Sequence, residues 1–279
     1  MTATRVILVS DSHLSADAPE ARSNWAAVVG YIAQTSPDLV VHLGDLSLDG
    51  ARRQADLEFA RHELGLLTVP WCAVPGNHDV GDNPLPGRPE DLAIDDKRRQ
   101  RWLDTVGEDR WALTLPGWTL LAVNAQLAGS GLAAEEQQWT WLAEQVRAVD
   151  PGQRVALISH KPLAASDAEL ASAPPYRFWP PAARKRLADL FAARPPALVI
   201  SGHAHQARQL HLDGADHLWV PTTWAVLPDA AQPVLGAKRS GLVSLDLAPE
   251  VRPKPEFVEP DGLAQVTIAV DFPDPYKRH

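Results

Sequence analysis

Six short, nearly continuous apolar runs, each closing on a polar cluster, constrain this chain more than any other feature: residues 6–9, 39–43, 69–74, 120–123, 155–158 and 198–200. Their β-branched content and length suit strands buried on both faces, and the stretches between them are long enough for crossover helices. Helical patterns fall at residues 25–34, 52–64, 135–148 and 182–192; in the third, two glutamates open the helix and Trp139, Leu142 and Val146 share one face. Beyond residue 200 the pattern turns β-rich, at 210–212, 218–220, 242–247 and 265–270. This predicts an α/β fold. A length of 279 residues fits one large domain. Residues 1–250 are expected to form its body, and 251–279 an extension packed on it. The proline-laden stretch 248–260 reads as a connector.

The polar clusters closing these runs carry the chemistry. Ser10-Asp11-Ser12-His13 stands after the first run, Gly44-Asp45 closes the second, and Pro75-Gly76-Asn77-His78-Asp79 stands after the third. The run at 155–158 ends in Ser159-His160-Lys161-Pro162, and that at 198–200 in Ser201-Gly202-His203-Ala204-His205. In an open α/β sheet, loops beyond the strand carboxyl ends converge on one crevice. The donors are carboxylate, amide and imidazole with no thiolate, a set that suits two borderline divalent ions such as Mn, Fe or Zn. Asp11 and His13, and likewise His203 and His205, would lie on one side of an extended backbone. Two four-coordinate ions need about eight protein contacts. Asp11, His13, Asp45, Asn77, His160, His203 and His205 supply that number if Asp45 bridges. Gly44, Gly76 and Gly202 each precede a ligand block, where a missing Cβ allows close approach of the backbone. Asp79 would fix its loop or orient an imidazole.

Asp-x-His, Gly-Asp, Gly-Asn-His-Asp, a lone His and Gly-His-x-His, in that order over residues 6–205, resemble the calcineurin-like metallophosphoesterase superfamily. The look is that of the bacterial class III cyclic-nucleotide phosphodiesterases and glycerophosphodiesterases. The resemblance implies a four-layer αββα sandwich of two mixed sheets. It implies one metal on Asp11, His13, Asp45 and His205, and the other on Asp45, Asn77, His160 and His203. His78 would face the substrate phosphate, so His78, supported by Asp79, is the expected catalytic element. The expected reaction is attack of metal-activated water on a small phosphodiester, of cyclic-nucleotide or glycerol type. Protein phosphatases of the superfamily carry Asp-Arg-Gly soon after Gly-Asp; here Leu46-Ser47-Leu48-Asp49-Gly50 has no arginine, which disfavours a phosphomonoester or phosphoprotein substrate. A non-catalytic binding module is disfavoured because all seven ligand positions are intact.

Composition narrows the partners. A net charge of −9 repels nucleic-acid and membrane phosphates, so a small-molecule diester is expected and neither polyanion is. Self-association into a homo-oligomer stays open. Cys72 as the only cysteine, and an N-terminus without a signal-peptide layout, point to a cytoplasmic protein. Several groups have plainer readings. His42 is expected to be a satisfied core histidine, Lys161 a solvated loop residue, and His62, His211, His217 and His279 surface groups. Arg98, Arg99 and Arg101 would be the wet face of a helix that buries Trp102. The stretches 82–89 and 164–181 read as long loops, the second carrying Tyr176, Phe178 and Trp179.

Overall fold

The computed structural model describes residues 3–84, 92–166 and 177–268. Along the chain these form β1 (Thr4–Val9), α1 (Pro19–Thr35), β2 (Leu39–His42), α2 (Gln54–Leu64), β3 (Trp71–Ala73), the single turn α3 (Asn77–Val80) and α4 (Asp96–Thr105). Next come β4 (Trp111–Leu115), β5 (Trp118–Val123), α5 (Ala133–Ala148), β6 (Arg154–Ser159), α6 (Pro181–Phe191) and β7 (Leu198–Ser201). The rest is β8 (Arg208–Leu212), β9 (Ala215–Trp219), β10 (Ala225–Val226), β11 (Leu242–Leu247), β12 (Glu256–Val258) and β13 (Val266–Thr267).

Two mixed sheets result, in the orders β12-β11-β1-β2-β3 and β4-β5-β6-β7-β9-β8. Within them β1-β2-β3 and β5-β6-β7-β9 are parallel runs. Alternation along each buried strand explains why the apolar runs are continuous. Val6 and Leu8 join Val41, Leu120, Ile158, Ile200 and Leu245 in a core between the sheets. Ile7 and Val9 face the other way, onto Trp25, Val28 and Ile32 of α1 and Leu57 of α2. On the far side Leu121, Val123, Leu157 and Val199 meet Trp139, Leu142 and Val146 of α5 and Leu187 of α6. Each such fully buried aliphatic side chain stabilises the fold by about 1.5–3 kcal/mol. The order is helix, sheet, sheet, helix.

Three local differences from the sequence expectations have clear causes. β4 is an edge strand of alternating exposure, so it lacks the continuous apolar signature of its neighbours. α1 begins earlier than expected because Pro19 occupies its first turn with Glu20 beside it. The arginines of α4 are not a wet face. Arg99 grips the buried Asp109 carboxylate at 2.7 and 3.2 Å, Arg98 donates to the Ala51 and Ala93 carbonyls, and Arg101 to Gly50 and Ala51. Trp102 is buried behind them.

The chain beyond residue 250 contributes β12 to the edge of the first sheet and β13 as a parallel partner of β10. Residues 269–270, expected to continue that last strand, lie outside the described residues, as do 85–89, 167–176 and His279. Among the described residues no helix is long and apolar enough to cross a membrane.

Candidate metal centre

Both parallel runs end on the same side, and the polar blocks meet there. The β1–β2 pairing continues past the strands as an irregular ladder: Asp11 N–H donates to Gly44 O at 3.0 Å and His13 N–H to Asp45 O at 3.0 Å. Asp11 and His13 are not alternate residues of an extended strand, as expected from spacing. Asp11, His13, Asp45, His203 and His205 all occupy the left-handed region, with φ of 52°, 44°, 52°, 62° and 51°. Each such residue costs about 1–3 kcal/mol and persists only where its surroundings dictate it. Here they do. Asp11 Oδ2 accepts from His203 N–H at 3.0 Å, Asp45 Oδ1 accepts from His78 N–H at 2.8 Å, and Thr222 Oγ1 donates to Asp11 O at 2.8 Å.

Two glycines are required by space. A Cβ on Gly76 would stand 2.1 Å from Asp45 Oδ1, and one on Gly202 would stand 1.8 Å from Ser10 Oγ. Close approach of backbone to side chain is what these positions need.

The donor atoms gather in overlapping groups: Asp11, His13 and His205; His13, Asp45 and His78; Asp45, His160 and His203. His160 Nε2 lies 3.2 Å from His203 Nδ1 and 3.3 Å from both Asn77 Oδ1 and Asp45 Oδ2. His205 Nε2 lies 3.3 Å from both His13 Nε2 and Asp11 Oδ1. Metal–ligand bonds of about 2.0–2.2 Å at ordinary coordination angles put neighbouring donors about 3.0–3.5 Å apart, so the set fits a divalent metal centre. The imidazole tautomers fit too. His160 Nδ1 donates to Leu43 O at 2.7 Å and His205 Nδ1 to Ala225 O at 2.5 Å, which turns each Nε2 toward the other donors.

The electrostatics run the same way when protons are the only cations. Burial works against a charged His160, but Asp45 outweighs it and pushes the imidazole up to about 9. His205 is raised likewise, with burial opposed by Asp11. Their neighbours His13 and His203 are held well below the usual range, first by burial and then by His78 and His160 respectively. Burial raises the Asp45 carboxyl, but His160 and His78 overcome it and hold it well below the usual range. The two raised imidazoles, His160 and His205, belong to different donor groups, and in each the positive charge is favoured by a neighbouring carboxylate.

Asp79 is buried and binds backbone. Its carboxylate accepts from the N–H groups of Leu46, Ser47 and Gly76 and from Ser47 Oγ, at 2.6–3.1 Å. It therefore clamps the Gly44-Asp45 loop to the Gly76–Asp79 turn. His78 is half-buried; its Nδ1 donates to Leu48 O at 2.7 Å, and its ring stands edge-on to His13 at 4.6 Å. Trp224, which no sequence pattern linked to chemistry, packs on His13 with ring centroids 5.1 Å apart.

His42 is a satisfied core group, as its place in the strand predicts. Nδ1 accepts from Gly44 N–H at 3.3 Å, so Nε2–H donates to Ser12 Oγ at 2.8 Å, and that hydroxyl donates to Leu46 O. Burial pushes this imidazole down to about 3. Below the unfolded value of about 6.5 the unfolded chain takes a proton that the folded one refuses, so stability falls as pH drops from 6.5 toward 3. The stability advantage of the wild type over His42→Asn, measured by urea unfolding, is expected to shrink by up to about 1.4 kcal/mol per pH unit there. A pH-independent difference would show that folding does not hold this imidazole neutral.

Two plainer readings are overturned. Lys161 is fully buried, its ammonium bound to Asp82 and to Asn83 Oδ1, and His217 on β9 is buried as well. The burial of Lys161 is not visible locally, because its partners Asp82 and Asn83 are distant in sequence. Phe178 and Trp179 are core residues and Tyr176 lies outside the described residues.

The four-layer α/β sandwich thus gathers buried carboxylates and imidazoles at its strand ends in groups that could hold a divalent metal. The chain belongs to the calcineurin-like phosphoesterases, whose family model matches residues 4–207. It is 26% identical over 212 residues to a probable glycerophosphodiester phosphodiesterase, GpdQ, of Arcobacter nitrofigilis, covering 72% of this chain and 71% of that one. In fold it is similar to a dimetal phosphatase from Danio rerio, with TM-score 0.63 and 16% identity over 92% of this chain and 96% of the other. A purple acid phosphatase from yellow lupin aligns with TM-score 0.68 and 16% identity, over 99% of this chain and 55% of that one.

Proposed function

We propose that this protein is a dinuclear metal-dependent phosphodiesterase acting on a small diester of the cyclic-nucleotide or glycerophosphodiester type. The observation that supports the reading is the pair of donor groups, Asp11-His13-His205 and Asp45-His160-His203, with Asp45 Oδ2 3.3 Å from His160 Nε2 and 3.9 Å from His13 Nε2. Asp11, His13, Asp45 and His205 would hold one ion, and Asp45, Asn77, His160 and His203 the other. Mn, Fe or Zn would neutralise the phosphate and lower the pKa of water for in-line attack. His78 is the candidate general acid: Leu48 O fixes its ring through Nδ1, and Nε2 would hold or deliver a proton at the leaving oxygen.

The choice of a diester rests on the arginines. The loop after Asp45 has none, and its Leu46 and Ser47 N–H groups are spent on Asp79. Two nearby arginines are engaged elsewhere: Arg53 pairs with Asp17 at 2.7 Å, and Arg101 caps Gly50 and Ala51 carbonyls. A monoester dianion gains most from such guanidinium clamps, so a loop after Asp45 without arginine favours the less charged diester. The glycerophosphodiester phosphodiesterase relative supports the same choice.

With Mn²⁺ supplied, kcat/KM is expected to be higher for bis-(p-nitrophenyl) phosphate than for p-nitrophenyl phosphate, and a cyclic-nucleotide and glycerophosphodiester panel would identify the leaving group. Faster monoester hydrolysis would overturn the diester assignment and leave the metal reading standing. A chelated protein that keeps full activity would overturn both.

A further inference from the structure

The residue after His160 has no part in the proposed reaction, yet it is a lysine with no exposed surface. Its ammonium binds Asp82, itself buried, and Asn83 Oδ1 at 2.8 Å. Asn83 is anchored in turn, donating through Nδ2 to the carbonyls of Ala125, Gln126 and Ala128 at 2.8–3.0 Å. The backbone on the other side is fixed as well: Lys161 O accepts from Trp179 Nε1 at 3.1 Å and from Ser159 Oγ at 2.9 Å. A buried ammonium is costly to desolvate and is kept only where it is paired.

Its position relative to the metal donors is specific. Lys161 directly follows His160, and Asp82 follows Asn77 by five residues, most of them in the turn α3. The ion pair therefore ties together the two segments that bring His160 Nε2 and Asn77 Oδ1 to 3.3 Å. The donors of the other group, Asp11, His13 and His205, are carried by the segments after β1 and before β8, neither of which contains an end of the pair.

We propose that Lys161 is a positioning residue for the second metal site, its ion pair with Asp82 setting the separation of His160 and Asn77. The inference rests on the dinuclear reading of the site. Outer residues that orient ligands typically change metal affinity or activity 10–100-fold, so the effect should fall on one site and spare the other.

Lys161→Met alone strands a buried carboxylate and is expected to lower Tm. The double variant Lys161→Met/Asp82→Leu exchanges the pair for apolar side chains, which often restores stability. Mn²⁺ titration of the metal-free protein, followed by calorimetry and by the EPR signal of coupled Mn²⁺ pairs, reads the two sites separately. The double variant is expected to recover Tm, keep wild-type affinity at one site, and bind at the other about 10–100-fold more weakly. Wild-type affinity at both sites in the double variant would show a purely structural pair and overturn the proposal. Equal weakening at both sites would overturn it as well. If the wild type takes up no pair of ions, the dinuclear reading itself fails, which is a distinct result. Should the double variant not fold, Lys161→Arg tests the same point with charge kept: equal affinities to wild type at both sites would refute the need for this geometry.

Discussion

Asp45→Ala is expected to lower phosphoester hydrolysis by at least ~10²-fold and to reduce bound metal from about two equivalents to one or fewer. Asp45 is the proposed shared ligand, its Oδ2 lying 3.3 Å from His160 Nε2 and 3.9 Å from His13 Nε2. Its other oxygen accepts from the His78 N–H, so the substitution also removes one tie to the turn that carries His78 and Asn77. Losing residues that merely orient ligands already costs 10–100-fold in other metal sites, and a shared ligand should cost more. The loss should survive Mn²⁺ concentrations that saturate the wild type, since the fault is a missing donor. Elemental analysis alongside the rate decides the matter: an Asp45→Ala protein with two ions and normal turnover would remove Asp45 from the centre.

His78→Ala is expected to discriminate between leaving groups. A nitrophenolate departs readily as an anion, whereas a ribose or glycerol alkoxide needs a proton. General-acid catalysis is typically worth ~10²–10⁴-fold where protonation is required. The variant should therefore lose that much on an alkyl or cyclic-nucleotide diester and far less on bis-(p-nitrophenyl) phosphate, with metal content unchanged. The structure bears on metal content directly. His78 Nδ1 is committed to Leu48 O, and its ring lies edge-on against His13, so removal leaves the other donors in place. Equal losses on both substrates would assign His78 to holding a non-bridging oxygen, an electrostatic role indifferent to the leaving group. Loss of metal would make it a ligand, a role its place in the group with His13 and Asp45 could also serve.

Much of this protein is legible in its sequence. The apolar runs read as strands because both faces of β1, β2, β5, β6 and β7 are covered, which leaves no room for polar alternation. The donor blocks stand out because each lies within a few residues of a strand's carboxyl end, and a parallel sheet carries all such ends to one side. Gly76 and Gly202 announce crowding for the same local reason. β4 is not legible, since an edge strand exposed on alternate residues looks like many other segments.

Other features required the tertiary structure. The left-handed backbone at Asp11, His13, Asp45, His203 and His205 is imposed by hydrogen bonds between segments as far apart as Asp11 and His203, not by local preference. The carbonyls that orient the imidazoles belong to Leu43 and Ala225, which no motif contains. The burial of Lys161, expected from sequence to be a solvated loop residue, depends on Asp82 and Asn83 nearly eighty positions away. Sequence determined which donor atoms the chain possesses and that strand ends would gather them, because both follow from local pattern and sheet handedness. Which tautomer each imidazole adopts, and which charges are buried to hold the loops, only the packed chain decided, because those choices are made by partners that are neighbours in space alone.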